Sequence, residues 1–377
     1  MMKVLTIFGT RPEAIKLIPV IQELKRHAPA AESIVCVTSQ HRQMLDQVLD
    51  LFSIKPEHDL NLMRENQDLA SLTASILEHL TKLIDQVRPD WVLVQGDTTT
   101  TFSAALAAYY CKTKVAHVEA GLRTRNKYSP FPEEINRCLT SRITDLHFPP
   151  TTVAKANLMN EGIDAKSIWV TGNTVVDALQ SISDKLNEES IYHESLNFLD
   201  PYRRTVLVTG HRRESFGPKL QEVCLALKEI ALTHNGVQVV YPVHLNPSVW
   251  DPVHKILGGT ENIHLIYPLD YLSFVYLIKK ADLIITDSGG VQEEAPSLGK
   301  YVLITRDITE RPEGVAAGIA KLVGADKGRI CEAAYKVLNG DLLSPTEIQK
   351  RNPYGDGWAS RRIVDVLLNG KCDEFCV

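Results

Sequence analysis

The chain has 377 residues, more than one hydrophobic core usually supports, so we expect two domains. Its net charge of −5 and pI near 6.2 give no basic field that would attract nucleic acid. The seven scattered cysteines, odd in number and without a Cys-x-x-Cys pair, predict reduced thiols in the cytoplasm, and no apolar run predicts a signal peptide or a membrane span.

Strands and helices alternate through the first half of the chain. Residues 4–8 form a strand pattern that ends at Gly9-Thr10-Arg11-Pro12-Glu13, and helical periodicity follows over residues 14–24. Strands separated by helices predict a parallel sheet, whose ligands bind outside the carboxyl ends of the strands. Further strands are predicted at residues 34–38, 91–94, 115–118, 146–148 and 168–170, with helices at 69–87 and 101–110, and the polar residues expected at strand ends are Arg11, Gln40, Asp97 and Glu119.

The second half repeats this pattern. After a crossover over residues 172–202, a strand at 205–209 leads into Gly210-His211-Arg212-Arg213-Glu214, which has Gly, Arg and Glu at the same offsets as the first loop. This echo favours an α/β protein of two Rossmann-like domains, which we place at residues 1–171 and 172–357. The other strands of the second half are predicted at residues 237–241, 263–266, 283–285 and 302–304.

The stretch from residue 283 to 294 is a buried strand that stops at Ser288-Gly289-Gly290 and continues as a helix. Glycines there allow backbone N–H groups to approach a ligand, and the helix N-terminus favours an anion such as phosphate. Glu294, one turn into the helix, suits the paired hydroxyls of a ribose. The stretch therefore predicts a nucleoside diphosphate site, with an ordinary strand-to-helix turn as the alternative.

Several signatures are missing from the sequence. There is no G-x-G-x-x-G after a strand and no G-x-x-x-x-G-K-[ST], which disfavours a nicotinamide cofactor and excludes a P-loop hydrolase. The twelve histidines include no H-E-x-x-H, so we expect no catalytic metal.

Cationic loop residues and acidic strand ends remain as candidates for chemistry. Arg11, Lys16, His211 and Arg311 could face a diphosphate, and the acidic candidates are Asp97, Glu119 and Glu133. Each acid could instead cap a helix or favour its dipole. Carboxylates near a nucleoside diphosphate suit proton removal from a sugar carbon coupled to departure of the diphosphate, and glycosyl transfer would need similar groups.

The motifs together resemble one known family, the non-hydrolysing UDP-N-acetylglucosamine 2-epimerases, over nearly the whole chain. The blocks that carry the resemblance are Gly9-Thr10-Arg11-Pro12-Glu13-Ala14-Ile15-Lys16, Gln40-His41-Arg42, Gly96-Asp97-Thr98-Thr99-Thr100, His117-Val118-Glu119-Ala120-Gly121-Leu122-Arg123-Thr124, Pro132-Glu133-Glu134, Gly210-His211-Arg212-Arg213-Glu214, Asp287-Ser288-Gly289-Gly290-Val291-Gln292-Glu293-Glu294 and Asn352-Pro353-Tyr354-Gly355-Asp356-Gly357.

The resemblance implies a GT-B arrangement, in which two Rossmann-like domains face each other across a cleft and a C-terminal helix, here within residues 358–377, crosses back to the first domain. It also implies cofactor-free interconversion of UDP-GlcNAc and UDP-ManNAc by a homodimer, through elimination of UDP to 2-acetamidoglucal and re-addition, feeding cell-surface polysaccharide synthesis. The implied catalytic residues are Asp97, Glu119, Glu133 and His211, and the implied ligand contacts are Arg11, Lys16, Phe274, Ser288, Gly289, Gly290, Glu294 and Arg311. Leu269 departs from the family pattern, since some members have Gln there.

The resemblance further implies an allosteric site for a second UDP-GlcNAc, with contacts from Gln40, Gln43, Arg212 and His244. Asn66 stands where a basic residue would be expected, although Arg64 is near, and Gln40 and Gln43 could simply begin the second helix. The alternatives for the whole chain are a hydrolysing 2-epimerase, a GT-B glycosyltransferase that uses UDP-GlcNAc, and a nucleotide-sugar sensor without turnover.

Overall fold

The computed structural model describes residues 1–38, 42–62, 67–188, 196–210, 216–234 and 236–376, without the side chains of 42–44 and 187–188. It divides into two compact units. The first unit comprises residues 1–178 and 354–376, and the second unit comprises residues 179–353.

The first unit is a parallel sheet with helices between its strands. The strand order β3-β2-β1-β4-β5-β6 is that of a dinucleotide-binding domain, in which the order reverses between β1 and β4. Its elements are β1 (Met2–Phe8), α1 (Arg11–Arg26), β2 (Ala31–Val37), α2 (Arg42–Leu51), β3 (His58–Asp59), α3 (Leu69–Val87), β4 (Trp91–Gln95), α4 (Thr99–Tyr110), β5 (Lys114–Val118), α5 (Glu133–Ile143), β6 (Leu146–Phe148), α6 (Thr152–Asn160), a 3₁₀ turn (Ala165–Ser167) and α7 (Thr174–Glu188), which continues into the second unit.

Side-chain chemistry fixes where these helices begin. Thr98 accepts a hydrogen bond from the backbone N–H of Thr101 at the start of α4, and Asp68 does the same for Ser71 in α3. One face of the sheet, including Leu5 and Val92, packs against apolar residues of α3 and α4. The Thr98 cap and this buried face therefore hold the loop that follows β4 in place.

The sequence prediction of a strand at 168–170 was wrong in one respect. The first sheet ends at β6, and Ile168 makes only an isolated bridge with His147. The chain nevertheless stays beside β6, because Trp169 and Thr171 donate backbone hydrogen bonds to the carbonyls of His147 and Pro149 at 2.9 and 3.1 Å, while the Val170 carbonyl accepts one from Phe375 of the C-terminal segment at 2.8 Å. Two short edge strands, β3 and β12, were not predicted.

The second unit repeats the topology with the order β12-β11-β10-β7-β8-β9, so its order reverses between β7 and β10. Val206 and Val208 pack with apolar residues of α8, and Leu207 packs with those of α10 and α11, so both faces of the sheet are covered. Its elements are β7 (Arg204–Thr209), α8 (Pro218–Thr233), β8 (Val237–Pro242), α9 (Pro247–Leu257), β9 (Ile263–Ile266), α10 (Tyr271–Lys280), β10 (Leu283–Thr286), α11 (Gly289–Ser297), β11 (Tyr301–Ile304), α12 (Pro312–Ala316), β12 (Ala320–Leu322), α13 (Lys327–Leu338) and α14 (Pro345–Lys350). The two parallel sheets confirm the predicted α/β class with two Rossmann-like domains.

The last helix, α15 (Ala359–Asn369), belongs to the first unit and packs on α1. The Asp177 carboxylate accepts hydrogen bonds from the backbone N–H groups of Ala359 and Ser360 at its N-terminus, and from the Ser360 hydroxyl. Burial raises the pKa of Asp177 to about 6. In the part of the chain described here, no helix combines the length and apolar character needed to cross a membrane.

Candidate active site

Two acidic residues predicted from the sequence follow neighbouring strands of the first unit. Asp97 lies in the loop after β4, and Glu119 follows β5 directly. The strands pair in parallel with Gln95 opposite Val118, so both loops leave the same edge of the sheet. This edge includes the point where the strand order reverses, which is where such sheets bind ligands.

Glu119 is buried and held by three side chains. Lys16 Nζ lies 2.6 Å from its Oε1 and 2.7 Å from its Oε2, the Gln95 amide donates to Oε2, and the Asn173 amide donates to Oε1 at 3.4 Å. The backbone of Glu119 has a φ of 61°, a left-handed conformation that is uncommon for a side chain other than glycine. The carboxylate is therefore held in one orientation beside the sheet edge.

Asp97 is half-buried and paired with Arg137 of α5. Its Oδ2 lies 2.8 Å from Arg137 Nη2, and its carbonyl accepts a hydrogen bond from the Asn136 amide at 2.9 Å. Burial raises the pKa of Asp97 to about 6, with Arg137 acting against the rise and the negative charges of Glu119 and Glu133 adding to it. These influences show that the structure brings the three predicted acids together.

The first turn of α5 carries two glutamates with different surroundings. Glu134 accepts hydrogen bonds from the backbone N–H groups of Thr124 and Arg125, at 3.0 and 2.7 Å, and so fixes the loop before the helix. For Glu133, the structure as described gives the buried Oε2 atom no hydrogen-bond partner. Glu134 therefore has a structural role, whereas one carboxylate oxygen of Glu133 makes no hydrogen bond with the described residues.

Two other buried groups support these loops. His117 of β5 shares a hydrogen bond of 2.7 Å with the carbonyl of Gly96, next to Asp97, and burial lowers the pKa of His117 to about 4. Glu13 accepts hydrogen bonds from the backbone of Gly9 and Thr10 and from the Thr98 hydroxyl. Glu13 therefore ties the loop after β1 to the loop after β4.

In the second unit, Ser288, Gly289 and Gly290 form the turn between β10 and α11. Ser288 is the N-cap residue of α11, and the two glycines are its first residues. Glu294 is buried one turn later, where its Oε1 accepts a hydrogen bond from the Tyr271 hydroxyl at 3.3 Å. The turn follows β10, at the point where the second sheet reverses its order.

Arg311 lies against this turn. Its Nε donates to Glu293 Oε1 at 2.6 Å, and a Cβ placed on Gly289 would lie 2.7 Å from Arg311 Nη1. Gly289 is therefore required for the close approach of the guanidinium to the helix start. Nearby, Glu310 pairs with Arg306 at 2.7 Å; burial opposes ionisation there, but Arg306 and Arg311 together lower the pKa of Glu310 to about 2.

The remaining predicted residues are placed as follows. Arg11 begins α1 and is half-buried, and Phe274 of α10 is half-buried against the apolar cluster around Leu277. His244 is exposed, and its Nδ1 accepts the backbone N–H of Asn246 at 3.1 Å. Gln40, His211 and Arg212 and the side chain of Gln43 lie outside the described residues, so the predicted allosteric contacts stay predictions.

Sequence reasoning did not find Arg137, Asn136 or the roles of Glu13 and Glu134. A helical signal was available, because residues 133, 136 and 137 share one face of α5 and Glu133 was already a candidate. The described residues hold no group of three His, Cys, Asp or Glu side chains suited to a metal ion.

Comparisons with known proteins identify the relatives of this chain. A family model described as UDP-N-acetylglucosamine 2-epimerase matches residues 22–368. The proteins named UDP-N-acetylglucosamine 2-epimerase from Escherichia coli O157:H7 and Bacillus subtilis strain 168 are each 52% identical, over 374 residues (98% of this chain, 99% of the relative) and 367 residues (97% and 95%). The crystal structure of UDP-GlcNAc 2-epimerase from Neisseria meningitidis bound to UDP-GlcNAc matches with a TM-score of 0.90 at 49% identity, covering 97% of this chain and 100% of that one. These matches confirm the resemblance found in the sequence.

Proposed function

Because the chain belongs to the UDP-N-acetylglucosamine 2-epimerase family, we propose that it interconverts UDP-GlcNAc and UDP-ManNAc by inverting C2 of the sugar. The observation that carries this proposal is the group of three carboxylates in the first unit, in which the pKa of Asp97 is raised to about 6. A group that titrates near neutral pH can both accept and return a proton.

The proposed reaction has two mirrored steps. A carboxylate removes the proton from C2, the C1–C2 double bond of 2-acetamidoglucal forms, and UDP leaves with the electron pair of the C1–O bond. A second acid then adds a proton to the opposite face of C2 while UDP re-forms its bond to C1. No electron is gained or lost overall, so the proposal includes no redox cofactor.

We assign the acid and base roles to Asp97, Glu119 and Glu133. The ion pair with Lys16 supports Glu119 as a group that is held in one orientation, and the free acceptor of Glu133 supports a contact with substrate. Two faces of C2 need two proton-transfer groups, and the three carboxylates of the first unit can supply them.

We assign UDP to the second unit and His211. The helix start at Ser288, Gly289 and Gly290, with Arg311 beside it, suits the diphosphate, because backbone N–H groups and a guanidinium both stabilise negative charge. Glu294, buried one turn later, suits the ribose hydroxyls. Arg11, Lys16 and Phe274 complete the proposed contacts.

We also propose that the protein works as a homodimer in the cytoplasm, with UDP-ManNAc used in polysaccharide synthesis. The family resemblance supports the dimer and the pathway class. The seven cysteines, all of which carry free thiols, support a reducing compartment. Light scattering of the purified protein tests the dimer, since a monomer at micromolar concentration would contradict it.

An incubation with UDP-GlcNAc in D2O, followed by NMR, tests the proposed activity. We expect UDP-ManNAc to form and deuterium to appear at C2 of both sugar nucleotides. Accumulating free ManNAc would favour a hydrolysing epimerase, transfer of GlcNAc to an added acceptor would favour a glycosyltransferase, and the absence of exchange at C2 would contradict the proposal.

A further inference from the structure

Arg137 and Asn136, adjacent residues of α5, hold both ends of Asp97. Arg137 Nη2 lies 2.8 Å from Asp97 Oδ2, and the Asn136 amide donates to the Asp97 carbonyl at 2.9 Å. Both α5 residues are buried, with 5% and 8% of their surface exposed. One turn of a helix therefore fixes the main chain and the carboxylate of Asp97 together.

Arg137 also lies near a second carboxylate, which is buried. Its Nη1 lies 3.6 Å from Glu134 Oε2, and Glu134 is fixed by the backbone N–H groups of Thr124 and Arg125. This contact is electrostatic, because Nε and Nη1 of Arg137 make no hydrogen bond with the described residues. The contact with Asp97 is thus part of a connected, buried arrangement.

We propose that Arg137 is a positioning residue for the epimerisation, which keeps the Asp97 carboxylate ionised and directed towards its reaction partner; this inference rests on the proposed function. Arg137 acts through Asp97 and need not touch the sugar. In this role it resembles the outer partners that orient catalytic or metal-binding groups in other proteins.

The groups that face Asp97 come from three elements. Arg137 and Glu133 belong to α5, Glu119 follows β5, and Lys16 belongs to α1. Burial and the two glutamates raise the pKa of Asp97, whereas Arg137 and then Lys16 lower it. Without Arg137, the Asp97 pKa would rise further, and the carboxyl group would be protonated at neutral pH and unable to act as a base.

The test compares C2 deuterium exchange of wild-type protein, Arg137→Met and Arg137→Lys from about pH 5.5 to about pH 9. For Arg137→Met we expect the acidic limb of the rate profile to move up by about two pH units, which gives about a tenfold loss at pH 7 and recovery in alkali. Arg137→Lys keeps the charge, so its limb should stay near the wild-type position with a lower plateau. Arg142→Met, at an exposed position of the same helix, serves as the control and should follow the wild-type profile.

A purely structural role predicts a different result. If Arg137→Met lowers the exchange rate by the same factor at every pH, or if Arg137→Lys moves the limb as far as Arg137→Met, the proposal is wrong. Should Arg137→Met fail to fold, Arg137→Gln removes the charge and keeps polar groups, and the same criteria apply to it.

A second readout separates this proposal from the proposed function. The carboxyl carbon of Asp97 can be titrated by 13C NMR in wild-type protein and in Arg137→Met, with its signal assigned from the spectrum of Asp97→Asn. A higher midpoint in Arg137→Met supports the positioning role even if no epimerisation is found, and equal midpoints overturn it even if the wild-type protein is an active epimerase.

Discussion

The two units place their candidate residues at the same point of the same topology but surround them with different electrostatics. In the first unit, Asp97 follows β4 and its pKa is raised to about 6. In the second unit, Glu293 is paired with Arg311 and Glu310 with Arg306, and the pKa of Glu310 is lowered to about 2. Asp97 also has an arginine partner, Arg137, but burial and the negative charges of Glu119 and Glu133 outweigh it, so its carboxyl group can exchange a proton near neutral pH. Glu310 is close to two arginines, Arg306 and Arg311, and stays charged. The same fold thus surrounds its candidate residues with electrostatics that suit the proposed proton transfer in one unit and the proposed anion binding in the other.

The largest effect is expected from Asp97→Asn, which tests the proposed proton transfer in the first unit. The substitution keeps the shape of the side chain and removes the base, so C2 exchange should fall by about 10²- to 10⁴-fold. UDP affinity, measured by calorimetry, should change little, because Asp97 is not among the proposed UDP contacts.

Asp50→Asn, at an exposed position of α2, is the matched control and should exchange at the wild-type rate. An Asp97→Asn protein that exchanged near that rate would show that Asp97 only caps or supports its loop.

The next largest effect is expected from a substitution of Glu294, which we assign to UDP binding in the second unit. Removal of a buried, charge-assisted contact to ribose should weaken UDP binding by about 1.5–3 kcal/mol in Glu294→Ala. Glu222→Ala, on the surface of α8, is the control. UDP affinity that is equal in both variants would refute the ribose assignment.

The third prediction concerns His147 of the first unit and the free energy of unfolding at low pH. Burial lowers the pKa of His147 to about 3, below the value of an unfolded histidine. The unfolded state therefore binds a proton as the pH falls below about 6.5, the folded state does not, and stability is lost down to about pH 3. His147→Leu removes this loss of stability. Its free energy of unfolding, relative to that of wild type, should therefore be about 2 kcal/mol higher at pH 5 than at pH 7.

Urea titrations at the two pH values measure this difference, in which the opposing contributions of Asp97 and Asp177 cancel because both proteins contain them. His79→Gln, at an exposed position of α3, should show no such pH dependence relative to wild type. Equal differences for His147→Leu at both pH values would mean that His147 is protonated in the folded state.

The sequence predicted the strand ends better than the contacts between them. Period and turn chemistry were enough to locate both parallel sheets, and parallel topology alone brings Asp97 and Glu119 to one edge. Lys16 and Glu119 are 103 positions apart, and Arg137 is 40 positions from Asp97, so neither pairing can be read from local spacing. The backbone hydrogen bond between Val170 and Phe375 likewise joins positions that no local pattern connects.

The smallest effect is expected from a substitution of Gly289, which tests whether Arg311 contacts the diphosphate of UDP. In Gly289→Ala the added Cβ would lie 2.7 Å from Nη1 and 2.9 Å from Cζ of Arg311, so the guanidinium must move while its Nε remains paired with Glu293. If Arg311 contacts the diphosphate, UDP affinity should fall by about tenfold, or about 1.4 kcal/mol.

Gly328→Ala is the control, because Gly328 also lies in the first turn of a helix and its added Cβ meets Asp326 at an ordinary 3.5 Å. Gly290→Ala distinguishes two causes, since its Cβ meets no described atom within 4 Å: a loss there would come from a methyl group that blocks the ligand and not from a displaced arginine. Unchanged UDP affinity in Gly289→Ala would mean that Arg311 does not contact the diphosphate. The helix N-terminus would then account for phosphate binding.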